Sequence, residues 1–324
     1  MKKNTKVLSL ILFSVVLFSI VCIAAINTVS LQYIMNEKFD GRDLKLVKIL
    51  ADNEAYTRYY ITYMSGKLKI SGIMNVPKSG GPHPVIITAH GFIEPRYYTN
   101  GRGLKREQDY LARSGYIVLH PDYRNNNGSD MDPENNLRLN LGYTEDVINA
   151  VYAVKNSSFK FIDRNNVGLL GHSLGGGIAL NMMVAKPGLV KAYVLFAPIS
   201  YDYRDNYYRW IAPKGKDVMR KFGPPQTREK IEALYGSPEA NPVFWDNVSP
   251  KTFIKNVTEP VIVHQGLSDK EVPPQWADKL VDALRKNGKE IKLYTYRGEP
   301  HEFTSAWSRV METSAAFFDH ALKH

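Results

Sequence analysis

The chain of 324 residues predicts an α/β fold, a mostly parallel central sheet with helices on both faces, and three observations carry that expectation. Short, near-continuous apolar runs recur: PVIITAH, YIVLH, NVGLLG, KAYVLF, PVIVHQ and IKLYTY. Segments with helical periodicity alternate with them, among them LKREQDYLARSG, YTEDVINAVYAVKN, QWADKLVDALRKNG and AWSRVMETSAAFFDHALK. The composition, 44% hydrophobic and 23% charged with no internal repeat, is that of a globular chain able to bury such strands. A strand apolar on successive residues is buried on both faces, which a parallel sheet between helix layers provides.

The beginning of the chain is different in kind. Met1 to Lys6 carries three lysines, and Val7 to Ile26 then runs for twenty residues without a charge. That length crosses a bilayer core as a helix. Residues 1–30 therefore read as an N-terminal signal-anchor that holds the rest of the chain, residues 31–324, outside the cell membrane, with a cleaved signal peptide and a secreted product as the alternative. Cys22, the only cysteine, lies inside this run, so residues 31–324 hold no thiol and need no disulfide. The net charge of +10 is spread without long basic runs, which argues against nucleic acid and suits a position near an anionic membrane surface.

From about Tyr56 the stretches YTRYYITYMS and KLKISGIMNV alternate in polarity on either side of a Ser-Gly turn, the pattern of a hairpin at a sheet edge. SGGPHP is a turn-rich connector, after which strands and helices alternate. Residues 200–258 break the rhythm: they contain no convincing strand, the aromatic run YDYRDNYYRW, Pro224 and Pro225, and a helical TREKIEALYG. Set between two core strands, they read as a cap over the carboxyl edge of the sheet, where open α/β sheets bind ligands. Tyr201, Tyr203, Tyr207 and Trp210 are candidates for lining a substrate pocket there, and packing of the cap onto the core is the competing role.

The run GHSLGGG, from Gly171 to Gly177, follows the strand VGLL and opens the helix LGGGIALNMMVA. Gly171, Ser173 and Gly175 fit G-x-S-x-G, the nucleophile elbow, in the strand-to-helix context the motif requires. Three fixed positions at about 7% usage each give about 0.1 chance matches in such a chain, so the motif alone decides little and its partners matter. A serine hydroxyl needs a base within reach, and the base needs a third group to fix its tautomer. In this fold the order along the chain is Ser, acid, His.

Asp269 lies in the loop GLSDKEVPP after strand PVIVHQ, and His301 in RGEPHEF after strand IKLYTY. Capping the helix near Pro274 is the other role open to Asp269. Asp202 and Asp246 follow no core strand, His264 sits inside one, and His320 and His324 belong to a terminal helix. Oxyanion donors are expected from the backbone N–H of Leu174, next to the nucleophile, and of Phe92 in the loop HGFIEP. His90, ending a core strand beside Gly91, reads as structural. No H-E-x-x-H, paired-cysteine or G-x-G-x-x-G pattern is present in the expected context, so neither metal nor dinucleotide cofactor is expected.

These residues carry a family resemblance. His90-Gly91, PDYR at Pro121 to Arg124, GHSLGG, YGSPEANPVFWDNVSP, HQGLSDKEVP and GEPHEF together resemble the α/β-hydrolase catalytic domain of the prolyl oligopeptidase family, and are similar to dienelactone-hydrolase-like esterases. The resemblance spans about Tyr56 to Leu322. It implies an α/β-hydrolase fold, Ser173 as nucleophile, Asp269 as orienting acid, His301 as base, and Phe92 with Leu174 as oxyanion donors. Members of that family usually carry a β-propeller ahead of the catalytic domain, and the interval from Ile26 to Tyr56 leaves no room for one. The loop reads HGF where many relatives have a second glycine. The expected activity is serine hydrolysis of an ester or a peptide bond, with acyl transfer on the same triad or a non-catalytic binding module as alternatives.

Overall fold

A computed structural model describes residues 28–213 and 227–323. The expected signal-anchor, Cys22, Pro224, Pro225 and His324 lie outside them. Among the described residues no helix is long and apolar enough to cross a membrane.

Nine strands form one open sheet in the order β1-β2-β3-β5-β4-β6-β7-β8-β9. β1 (Arg42–Asp52), β2 (Tyr56–Ser65) and β3 (Leu68–Pro77) pair antiparallel, and β3 also pairs antiparallel with β5. From β5 (Ile117–Pro121) through β4 (His83–Ala89), β6 (Ile162–His172), β7 (Ala192–Phe196) and β8 (Val261–Gly266) to β9 (Ile291–Tyr296), every pairing is parallel. The expected hairpin is β2–β3, in unbroken register from Tyr56 with Pro77 to Ser65 with Leu68.

Two expectations need correction. The hairpin is not the edge, because β1 and a short helix α1 (Leu31–Asn36) precede it and β1 takes the outer position. RDLKLVKILAD, an edge strand with little burial, alternates only at Leu44-Lys45-Leu46 and carries no sustained strand pattern; Val47, Ile49 and Leu50 are exposed. IKLYTY is likewise not a fully buried strand. As β9 it closes the opposite edge, with Lys292 and Thr295 exposed.

The inner strands β5, β7 and β8 are buried at every residue, in keeping with helices on both faces. α2 (Lys105–Arg113) and α9 (Trp307–Leu322) pack on one face with Ile86, Val118, Leu170 and Val194, in a cluster with Phe318. α3 (Leu141–Lys155), α4 (Leu174–Ala185) and α8 (Pro274–Lys286) cover the other, with Ile87, Leu119, Leu169 and Val263. All twelve residues of α4 are buried, which explains why LGGGIALNMMVA has no polar face.

Between β7 and β8 the described residues form no strand. They form α5 (Tyr203–Asn206), a π turn at Tyr207–Ile211, α6 (Thr227–Tyr235), α7 (Pro242–Asn247) and a 3-10 segment at Pro250–Asn256.

The strand order fixes where chemistry can sit. The connection from β4 runs to β5 on one side, whereas β6, on β4's other side, leads away to β7. Diverging connections leave a crevice beyond the carboxyl ends of β4 and β6, the switch point at which open sheets bind ligands. The loop after β4 holds Gly91 and Phe92, and the turn after β6 holds Ser173.

Candidate active site

Ser173 stands between the end of β6 and the first residue of α4 with φ 56° and ψ −117°. A side-chain-bearing residue there costs about 1–3 kcal/mol and persists only if its surroundings over-determine it. Three backbone bonds do so: Ser173 N–H donates to Phe196 O at 2.9 Å, and Gly177 N–H and Ile199 N–H donate to Ser173 O at 3.1 and 3.2 Å.

The glycines are a matter of space. A Cβ on Gly175 would lie 1.9 Å from Ala89 O at the end of β4, and one on Gly171 would lie 2.4 Å from Gly175 O. Only bare backbone lets the helix start so close to two strands, and that closeness holds the serine at the rim.

β8 ends at Gly266, and three residues later Asp269 is buried with both carboxylate oxygens engaged. Oδ1 accepts the backbone N–H of Glu271 at 2.8 Å and of Val272 at 2.9 Å. Oδ2 lies 2.7 Å from His301 Nδ1 and accepts from Gln265 Nε2 at 3.3 Å. Burial pushes this carboxyl up, but the hydrogen bond and charge of His301 with the two backbone donors outweigh it, and the net pKa is lowered. The helix at Pro274 begins behind Pro273 with no side-chain cap, so Asp269 does not serve that helix.

His301, in the loop after β9, is buried and held from two sides. An ionised carboxylate can only accept, so Nδ1 carries the proton and the Nε2 lone pair of the neutral ring is left for the cavity. The ring also lies 4.5 Å, centroid to centroid, from that of His172, whose Nε2 is 3.3 Å from the His301 carbonyl oxygen. Among the described residues no hydrogen bond joins the Ser173 hydroxyl to His301, although both face one cavity. Such bonds are commonly loose until substrate is held.

That cavity has a volume of about 700 Å³. Phe92 and Leu174 line it with Ser173 and His301, and a Cβ on Gly91 would lie only 3.2 Å from Ser173 Cβ, so the β4 loop crosses directly beside Ser173. Leu174 is the first residue of α4, where a backbone N–H has no partner within the helix. His90, expected to be structural, is buried and stacked on Tyr123 at 4.1 Å. Its Nδ1 lies 2.7 Å from the Gly91 carbonyl oxygen. In a trans peptide the carbonyl and the following N–H point in opposite directions, so anchoring Gly91 O turns the Phe92 N–H away from His90. Burial lowers the His90 pKa to about 4 and keeps the ring neutral.

The four cap aromatics divide. Tyr203 and Trp210 line the cavity, Tyr203 donating from its hydroxyl to Leu139 O at 2.9 Å and Trp210 meeting Trp276 edge-on at 5.5 Å. Tyr207 does not: it is buried against Trp245 at 4.8 Å and its hydroxyl donates to Glu232. Tyr201 does not either, and packs on the main core instead. A buried aromatic fills space between cap and core, and nothing in the run YDYRDNYYRW separates the two roles.

His264 is the core histidine expected, with Nδ1 2.8 Å from the Tyr296 hydroxyl. Asp202 caps α5, and Asp246 pairs with Arg204 at 2.7 Å.

Sequence reasoning missed several contributors. Asn136, Leu139 and Ile231 line the cavity from segments with no motif, and Glu302 does so from within GEPHEF, where His301 drew the attention. The PDYR run builds the surroundings: buried Asp122 accepts from Tyr98 Oη at 2.9 Å, Ser71 Oγ at 2.6 Å and Gly101 N–H at 2.8 Å, and buried Arg124 pairs with Asp132, Glu145 and Asp146. Its signal, two charges straight after an apolar strand, was visible, but not the far-off partners.

A serine elbow at the switch point, where nucleotide-binding sheets place phosphate-gripping glycines, is the mark of α/β-hydrolases, and the sheet has their mostly parallel order. Within that class the chain belongs to the prolyl oligopeptidase family, a family of serine hydrolases, whose profile matches residues 103–324.

An uncharacterized peptidase, YuxL, of Bacillus subtilis is 29% identical over 225 residues, which are 68% of this chain and 31% of that protein. The chain thus spans about a third of the length of such curated relatives. The acylaminoacyl peptidase of Pyrococcus horikoshii superimposes with a TM-score of 0.65 at 21% identity, covering 85% of this chain and 44% of that one. Acetyl xylan esterase 1 of a Thermoanaerobacterium species does so with a TM-score of 0.62 at 17% identity, covering 89% and 92%. At these identities the two likenesses concern the fold.

Proposed function

We propose that this chain hydrolyses an ester or peptide bond through an acyl-enzyme. Ser173 Oγ attacks the carbonyl carbon while His301 Nε2 takes its proton, and the tetrahedral oxyanion is held by the N–H groups of Phe92 and Leu174. His301 then gives the proton to the leaving alcohol or amine, and water repeats the sequence on the acyl-serine. Asp269 holds the imidazole in one tautomer and stabilises its charged form. The observation that carries the reading is His301, held at 2.7 Å by Asp269, lining the same cavity as the strained Ser173.

A peptide or acylamino substrate is favoured by the curated relatives, which include a dipeptidyl aminopeptidase and acylamino-acid-releasing enzymes. Residues 200–258 act as the cap of this site, with Tyr203 and Trp210 as substrate contacts. Residues 1–30 hold the domain at the outer face of the membrane, a role suited to twenty uncharged residues behind three lysines.

Labelling with a fluorophosphonate probe tests the chemistry: wild type labels and Ser173→Ala does not. Unlabelled but folded wild-type protein overturns it. A series of p-nitrophenyl esters beside aminoacyl amides then separates esterase from peptidase.

A further inference from the structure

His172, His301 and Glu302 each bring a ligating atom within 4.8 Å of those of the other two. We infer that these three residues form a binding site for a divalent transition-metal ion of the zinc type, and that the bound ion is a reversible inhibitor of the hydrolase. The inhibitory role rests on His301 being the base; the binding does not.

Two imidazoles and one carboxylate are a ligand set zinc uses. The second contacts of both rings suit it too. A zinc-bound histidine almost always donates its other N–H to a carboxylate or a backbone carbonyl, which fixes the tautomer and aims the lone pair. His301 donates Nδ1–H to Asp269 at 2.7 Å, and His172 donates Nε2–H to the backbone oxygen of His301 at 3.3 Å. Each ring thereby keeps one nitrogen lone pair. The contacts that make His301 a base make it a ligand.

Zinc–nitrogen bonds of about 2.0–2.1 Å put tetrahedral ligand atoms about 3.3 Å apart, so the set closes by movements of about 1 Å. Glu302 is exposed, and its carboxylate already lies within 4.8 Å of a nitrogen of each ring. All three residues line the cavity with Ser173, which leaves a fourth position for water or the serine oxygen. Nitrogen donors select zinc, cobalt or nickel over magnesium and calcium. A metal on His301 Nε2 occupies the lone pair that receives the serine proton, so the site is incompatible with turnover.

The test uses the full chain. Zinc chloride is titrated into Ser173→Ala protein against a chromophoric chelator, and separately into wild type during ester hydrolysis. One ion per chain is expected, with the rate falling as it binds and EDTA restoring it, while magnesium and calcium leave the rate unchanged. Glu302→Gln, at an exposed position that the fold does not need, and His172→Gln each weaken binding by about tenfold or more. Absence of one-to-one binding, or binding unchanged in both variants, overturns the site while leaving hydrolysis by Ser173 intact. Binding that follows the variants without loss of rate overturns the inhibitory role and, with it, His301 as the base.

Discussion

His301 Nδ1 sits 2.7 Å from Asp269 Oδ2, although 32 residues and a whole helix–strand unit separate the two along the chain. The carboxylate arrives already oriented, because the N–H groups of Glu271 and Val272 hold its other oxygen. Asp269→Asn keeps this shape but presents an NH2 donor or a weaker acceptor to the ring and loses the negative charge. The expected outcome is a fall in kcat of about 10³–10⁴-fold with KM little changed, read by steady-state kinetics on an activated ester. A loss below tenfold contradicts Asp269 as the orienting acid.

Gly175→Ala places a methyl where Ala89 O already stands, 1.9 Å away. Neither backbone can retreat without opening β4 from β6. A destabilisation of about 3 kcal/mol or more is expected, measured by urea unfolding, together with loss of fluorophosphonate labelling in whatever folds.

His90 is predicted to act on rate through the β4 loop. His90→Phe keeps the ring stack but loses the bond to Gly91 O, 2.7 Å long in the wild type, and frees the Phe92 peptide to rotate. A fall in kcat of about 10–10²-fold is expected, with KM and the folding midpoint changing much less. A change in KM alone points to a purely structural His90.

Acid stability follows from the buried rings. Burial lowers His264 to about 3, and burial with the neighbouring His301 charge lowers His172 to about 4. Both lie below the unfolded value of about 6.5, so between those limits the unfolded chain binds more protons than the folded one. Stability is fully present above about pH 6.5 and is lost as pH falls through that window, by on the order of 1.4 kcal/mol per pH unit for each ring. The lowered Asp269 carboxyl adds a loss of the same sign at lower pH, as pH falls through its folded pKa. Urea midpoints at pH 7.5, 6 and 5 should decline, with a shallower slope in His264→Gln. An equal slope in that variant removes His264 from the account.

Ile231, on α6, lines the cavity with Tyr203 and Trp210. Ile231→Phe fills part of its volume of about 700 Å³ and shifts the optimum of an acyl chain-length series to shorter chains, while fluorophosphonate labelling of Ser173 stays at the wild-type rate. An unmoved optimum places the acyl group elsewhere.

The sequence alone determined whatever depends on local pattern. Apolar runs buried on both faces announced the parallel strands, and glycines around one serine announced the elbow, because a strand turning directly into a helix tolerates no other side chains there. The positions just past β8 and β9 marked Asp269 and His301 for the same local reason. What lies far apart in the chain only the tertiary structure decided. β1 was invisible because an exposed edge strand needs no apolar alternation. The division of the cap into Tyr203 and Trp210 on the cavity and Tyr201 and Tyr207 in packing depends on which side of one aromatic run meets the core. His172 beside His301, and Glu302 within reach of both, arise from the crossing of two chain segments 129 residues apart, and no periodicity along a chain encodes such a meeting.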